Sequence, residues 1–199
     1  MTRTFRQQAD EVILDRAAAL FARQGFTKTS VQDVADSVHL SKAGLLHHYA
    51  SKDALRSAVL AQADAIGQRV LAGVTDLPFG AERDRQALEV LVDVALAHPG
   101  LVALLLAPLS RGEQEAVPSE VDAVSARALE AFGVDPEGPV TERAVRVSGA
   151  LGALAVLTLA AQREDTTTTW RRYIVATCFD ALGHRGPGAT PPAADQIEA

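Results

Sequence analysis

Between Gly25 and Leu55 several helix starts crowd into one short stretch, and this restricts what can be built around them. A Ser or Thr just ahead of a helix accepts hydrogen bonds from the first free backbone amides. Thr29, Ser41 and Ser51 each stand at such a start. Helices confined between starts this close have room for only about two turns. Thr29 and Gln32 have the S/T-x-x-E/Q spacing of a capping box, and in the helix they open Val31, Val34, Ala35 and Val38 share a face. Only His39 and Leu40 separate that helix from Ser41. The next helix, about Lys42 to Tyr49, buries Leu45 and Tyr49 one turn apart. Ser51 then opens a longer helix, with Asp53 placed to suit the helix dipole and Leu55, Val59, Ile66 and Val70 turned inward. Ahead of all three lies a helix over Arg6 to Arg23, with a stripe of Ile13, Ala17, Leu20 and Phe21 ended by Gly25 and Phe26. Two short helices joined by a tight turn form a helix-turn-helix pattern.

The rest of the chain is also helical in pattern. Alanine, the best helix former and a poor strand former, supplies 37 of the 199 residues. Periodic segments run over Glu82–His98, Leu101–Leu109, Ser119–Phe132, Val140–Arg163 and Trp170–Leu182, giving an all-α chain of about nine helices. No repeat or strand-like alternation interrupts them. The expected domains are a helix-turn-helix head over residues 1–51, a helical effector-binding and dimerisation domain over 52–183, and a flexible tail over 184–199. The single cysteine, Cys178, excludes an intramolecular disulfide and a Cys-clustered metal site, and reads as inert packing. The N-terminus has no apolar signal core. The longest uncharged runs, Val94–Ser110 and Val147–Gln162, are broken or fall short of the about 18 residues of a membrane span. A cytoplasmic chain without membrane contact is expected.

The formal net charge of −6 argues against nucleic acid until it is divided. Residues 1–60 carry eight Lys and Arg against six Asp and Glu, and residues 61–199 carry eleven against nineteen. All three lysines, Lys28, Lys42 and Lys52, lie in the first part. A basic module on an acidic body fits an interaction head. The second short helix offers Lys42, Ala43, Gly44, Leu46, His47 and His48 to a major groove. Ser30, Ser41 and Ser51 present hydroxyls and helix-start amides to phosphates, and Lys52 sits over the same backbone. Thr29 and Tyr49 complete the DNA-facing set, Tyr49 as a core aromatic with a wet hydroxyl. His47 and His48 invite a metal reading, but helical neighbours project about 100° apart and metal-binding pairs are spaced three or four apart.

The run from Phe26 to Ala35, followed by Leu40 to Leu55, resembles the DNA-binding segment of TetR/AcrR-type transcriptional regulators. In that family's pattern the positions of Gln32, Lys42, Gly44, His47, His48 and Lys52 face DNA. Two residues depart from the pattern. His39 stands in the turn where Gly is usual, a position that needs a positive φ. Leu46 stands where Tyr is common, removing a hydroxyl that reaches phosphate. The resemblance implies a repressor that binds a palindromic double-stranded DNA operator as a homodimer and is released by a small effector, with no cofactor.

For the body, Ser148, Gly149, Gly152 and Ala153 crowd small residues onto one helix, and with Trp170, Tyr173 and Ile174 they are the expected dimer interface. Ile66, Val70, Leu91, Leu105, Leu109 and Phe132 are the expected lining of an apolar effector pocket. No acid–base pair, nucleophile constellation or phosphate loop marks an enzyme. The departures at His39 and Leu46 keep one alternative open: a small-molecule-binding helical bundle that has lost sequence-specific DNA reading.

Overall fold

The computed structural model describes residues 5–111, 119–164 and 166–184, which form nine helices and no strand. These are α1 (Phe5–Gln24), α2 (Val31–Ser37), α3 (Lys42–His48), α4 (Lys52–Ala72), α5 (Ala81–Ala97), α6 (Pro99–Arg111), α7 (Ser119–Ala131), α8 (Glu142–Arg163) and α9 (Thr167–Ala181). The expected tail past residue 184 and the side chain of Leu109 lie outside the described residues. Helix α9 starts at Thr167, earlier than the Trp170 expected from its apolar pattern. The amide of Trp170 donates to the Thr166 carbonyl at 2.9 Å, so the first turn closes through the β-branched threonines despite their low helix propensity.

A head core, a body core and a small cluster of Ala63, Ile66, Leu101 and Val124 meet along shared helices. The head core joins Ile13, Leu14, Ala17 and Phe21 of α1 to Val34, Ala35 and Leu45 of the short helices. It also takes Leu55 and Val59 from α4, so α4 begins in the head. Farther along, Ile66 and Val70 of the same helix are buried in the body. The body core is built from α5, α7, α8 and α9, with Leu88, Val92, Val147, Leu154 and Cys178 buried. Burial pushes the Cys178 thiol up to about 11, which keeps it protonated and unreactive. Helix α8 is long and apolar enough to cross a membrane. Here Val147, Ala150, Leu154, Thr158 and Ala161 bury one side of it within the bundle.

Polar clamps hold the body walls in register. Asp84, in the first turn of α5, is 1% exposed and accepts from Arg143 of α8 at 2.6 Å. It also meets His184, beyond α9, at 2.5 Å. Buried Arg83 donates to the carbonyls of Ala131 at 2.8 Å and Leu77 at 3.1 Å. Charges this buried persist because each has a partner.

The head is fastened to the body by α1 against α6. A Cβ at Gly100 would lie 1.9 Å from the carbonyl oxygen of Asp15, so the two backbones touch where no side chain fits. The next amide, Leu101, donates to the Asp15 carboxylate at 3.1 Å, which caps the start of α6. Gly100→Ala is therefore expected to force α6 off α1 at a cost of about 1–3 kcal/mol. Thermal denaturation reads this directly, and an unchanged melting temperature contradicts the contact.

Candidate nucleic-acid interface

Helix α2 starts from a capping box placed one residue later than the sequence pattern suggests. Ser30 is the N-cap: its hydroxyl accepts from the Asp33 amide at 3.1 Å, and the Asp33 carboxylate accepts from the Ser30 amide at 2.8 Å. These bonds hold the Asp33 carboxyl below its ordinary range. The expected Thr29–Gln32 box is thus corrected. Thr29 is 1% exposed and its hydroxyl donates to the Gly25 carbonyl at 2.8 Å, so it cannot face DNA. Gln32 is exposed and donates to Asp36 at 2.6 Å.

The turn that follows depends on His39, whose φ of 58° is left-handed. The Leu40 amide donates to the Ala35 carbonyl at 2.9 Å and the His39 amide to the Asp36 carbonyl at 3.3 Å. Together they form a Schellman ending. The turn geometry is therefore kept with histidine in the glycine position. Ser41 then caps α3, accepting from the Gly44 amide at 3.0 Å. Leu45, 1% exposed, anchors the helix in the head core. Ser41, Lys42, Ala43 and His47 are exposed, and Gly44, Leu46, His48 and Tyr49 are half-buried.

Three sequence-assigned DNA contacts have work inside the head. His48 shares a hydrogen bond between Nδ1 and the Asp10 carboxylate at 2.8 Å, tying α3 to α1. The Tyr49 hydroxyl is pushed up to about 12 by burial and by the charge of Asp10, so it stays protonated. Lys52 donates from Nζ to the carbonyls of Phe26 at 3.0 Å, Thr27 at 3.2 Å and Thr29 at 3.1 Å. Its ammonium also sits 4.5 Å from the centre of the Phe26 ring. An ammonium has three N–H groups, and here each meets a carbonyl. Lys52 thus clamps the α1–α2 loop and sets the position of the Ser30 cap. Asp10 gave no signal, and Phe26 none as a partner of Lys52, because these partners are distant in sequence. Asp33 could have been found, since Ser30 and Asp33 have capping-box spacing.

The body residues divide in the same way. Ile66, Val70, Leu91 and Leu105 line a cavity of about 330 Å³ between α4, α5, α6, α7 and α8. Phe132 does not line it. It is 2% exposed and packed in the body core just past α7. Ser148 and Gly149 are exposed, Gly152, Ala153 and Trp170 are half-buried, and Tyr173 is 56% exposed. Ile174 is only 1% exposed inside its own chain, which removes it from any interface. Among the described residues no group of three or more His, Cys, Asp or Glu could hold a metal.

Residues 13–59 match the family profile described as bacterial regulatory proteins, tetR family. The chain is 44% identical over 41 residues to the HTH-type transcriptional repressor KstR2 of Mycobacterium tuberculosis, covering 21% of this chain and 20% of that protein. It is 40% identical over 48 residues to the KstR2 repressor of Rhodococcus jostii, covering 24% of each. These matches span about a fifth to a quarter of the relatives' own length. A TetR-like transcriptional regulator from Rhodococcus sp. RHA1 has a similar structure, with a TM-score of 0.52 at 21% identity, covering 93% of this chain and 100% of that one. AmtR of Mycobacterium smegmatis gives 0.53 at 23% identity, covering 94% and 91%. These likenesses show that the whole all-α fold is shared.

Two substitutions test this account of the head. Lys52→Ala removes a charged donor from three carbonyls and is expected to cost about 1.5–3 kcal/mol, read as a lower melting temperature. His39→Gly relieves left-handed strain and is expected to gain about 1 kcal/mol. A Lys52→Ala variant as stable as the parent contradicts the clamp, and a destabilised His39→Gly contradicts the strain.

Proposed function

We propose, from the match of residues 13–59 to the tetR family profile of bacterial regulatory proteins, that the chain is a ligand-responsive transcriptional repressor. It binds a palindromic double-stranded DNA operator as a homodimer in the cytoplasm and is released by a small apolar effector. The reading assigns it no catalysis. The observation that carries it is α3: a rigidly capped helix whose exposed side, Ser41, Lys42, Ala43 and His47, combines small residues, one lysine and one imidazole. Small residues allow close approach to base edges, Lys42 supplies a cation for phosphate or guanine, and the Ser41 start directs amides outward. Ser30 and Gln32 place the start of α2 beside it.

One short helix reads too few base pairs, so two copies related by a two-fold axis are required. On α8, Val145, Gly149, Gly152 and Val156 recur at helical spacing on one side. Val145 is 61% and Val156 59% exposed, and a Cβ at either glycine would meet nothing within 4 Å. With exposed Tyr173 on α9, this face supports the pairing. In this reading α6 transmits the signal. Leu101, Val102, Leu105 and Leu106 line the cavity, while Gly100 and Leu104 of the same helix lie against the head. An effector that fits a shifted α6 better than the present one draws the population toward heads spaced wrongly for one helical turn of DNA.

Selection of bound fragments from a random double-stranded pool is expected to yield an inverted repeat with half-sites one helical turn apart. Recovery of no common sequence overturns the reading. Val156→Glu is expected to shift the chain from dimer to monomer in analytical ultracentrifugation and to weaken operator binding at least tenfold, since each half-site supplies only part of the affinity. A Val156→Glu chain that remains dimeric places the interface elsewhere.

A further inference from the structure

The lining of the body cavity has a polarity gradient that selects the ligand and its direction. Its walls are Leu, Val, Ile, Ala and Gly from five helices, and no Asp, Glu, Lys or Arg is among the described lining residues. Its one ring is the imidazole of His98, at the junction of α5 and α6. Ile66, Val70, Leu101, Val102 and Leu154 are buried, whereas Ser125 of α7 and Ser148 of α8 are the exposed members of the described lining. The hydroxyls therefore stand where the cavity meets water, and the interior is hydrocarbon. A charge carried inside would lose its hydration without a counter-charge. A flat aromatic ligand would find a single ring, the His98 imidazole, to stack on.

We propose that the cavity takes the aliphatic body of an amphiphile, with the apolar end inward and the polar end at the mouth between Ser125 and Ser148. The proposal rests on the reading of this cavity as the effector site and adds the ligand's chemistry and orientation. An uncharged or a singly charged head is tolerated equally, because the head stays in water. A second charged group at the far end is rejected, because it must enter the hydrocarbon floor. Affinity grows with chain length until the cavity is full, by about fourfold per methylene from the transfer free energy of a buried CH₂.

The test is titration calorimetry of the full chain without DNA, at pH 8, where an ordinary histidine is neutral. The probes are 1-decanol, decanoate and decanedioate, with shorter and longer 1-alkanols for the length series. The expected result is that 1-decanol and decanoate bind within a few-fold of each other and decanedioate binds about a hundredfold more weakly. Ser125 is exposed and lies off the α8 face proposed for pairing, so charges placed there test orientation without altering that face. Ser125→Glu is expected to weaken decanoate several-fold and leave 1-decanol unchanged, and Ser125→Lys to strengthen decanoate alone. Three results overturn the proposal: decanedioate binding as well as decanoate, alcohol and carboxylate responding alike to the Ser125 charges, or no chain binding at all. DNA selection is read separately. A chain that binds 1-decanol but selects no operator removes the repressor reading and keeps the cavity chemistry. An operator found with no alkyl binding does the reverse.

Discussion

The contact of Gly100 with Asp15 is the constraint on which the arrangement of the molecule depends. With 1.9 Å between a would-be Cβ and a carbonyl oxygen, the start of α6 and the middle of α1 have one relative position available. The Asp15 carboxylate fixes the rotation about that point by capping the Leu101 amide. Helix α6 cannot then change its tilt without disturbing α1. Since α6 is also a wall of the cavity, the head and the cavity share a rigid part. Helix α4 is a second shared part, with Leu55 and Val59 in the head core and Ile66 and Val70 in the cavity wall. Interiors packed at crystal-like density switch between discrete arrangements rather than deforming smoothly. Under the proposed function, these two shared helices are the parts through which filling the cavity would reach the head.

Within the head, polar groups divide between holding the shape and facing outward. Lys52 on three carbonyls, His48 on Asp10, Thr29 on Gly25 and Asp33 on Ser30 all tie the short helices to α1 and to the loop before them. Short helices need such ties because seven residues cannot hold helical form by propensity alone. What remains outward on α3 is small or cationic, which suits a groove. The acidic charge excess lies in the rest of the chain, which under the proposed function would confine contact with DNA to the head.

The helices and the turn were legible because their signals are local. Serine caps, the left-handed position at His39 and the four-residue spacing of apolar residues each sit within one element. Ile66, Val70, Leu91 and Leu105 could be assigned to one lining because each is apolar on an inward face. What the sequence misplaced depends on long-range geometry. Lys52 reads as a free cation until the carbonyls of Phe26, Thr27 and Thr29 are found around it. Ile174 on α9 and Phe132 just past α7 are both apolar, but periodicity does not say whether an apolar residue faces a core, a cavity or a partner. Thr29 and Ser30 are adjacent hydroxyl residues of near-equal capping ability, and only the burial of Thr29 decides between them.

Under the proposed function, this chain reads DNA through α3. The most direct measurement is operator binding across a salt series for the parent and for Lys42→Ala, whose exposed side chain can be removed without touching the core. Binding is expected to weaken steeply with salt, with a log–log slope that falls by about one in the variant. An identical slope and affinity in the two proteins would contradict it.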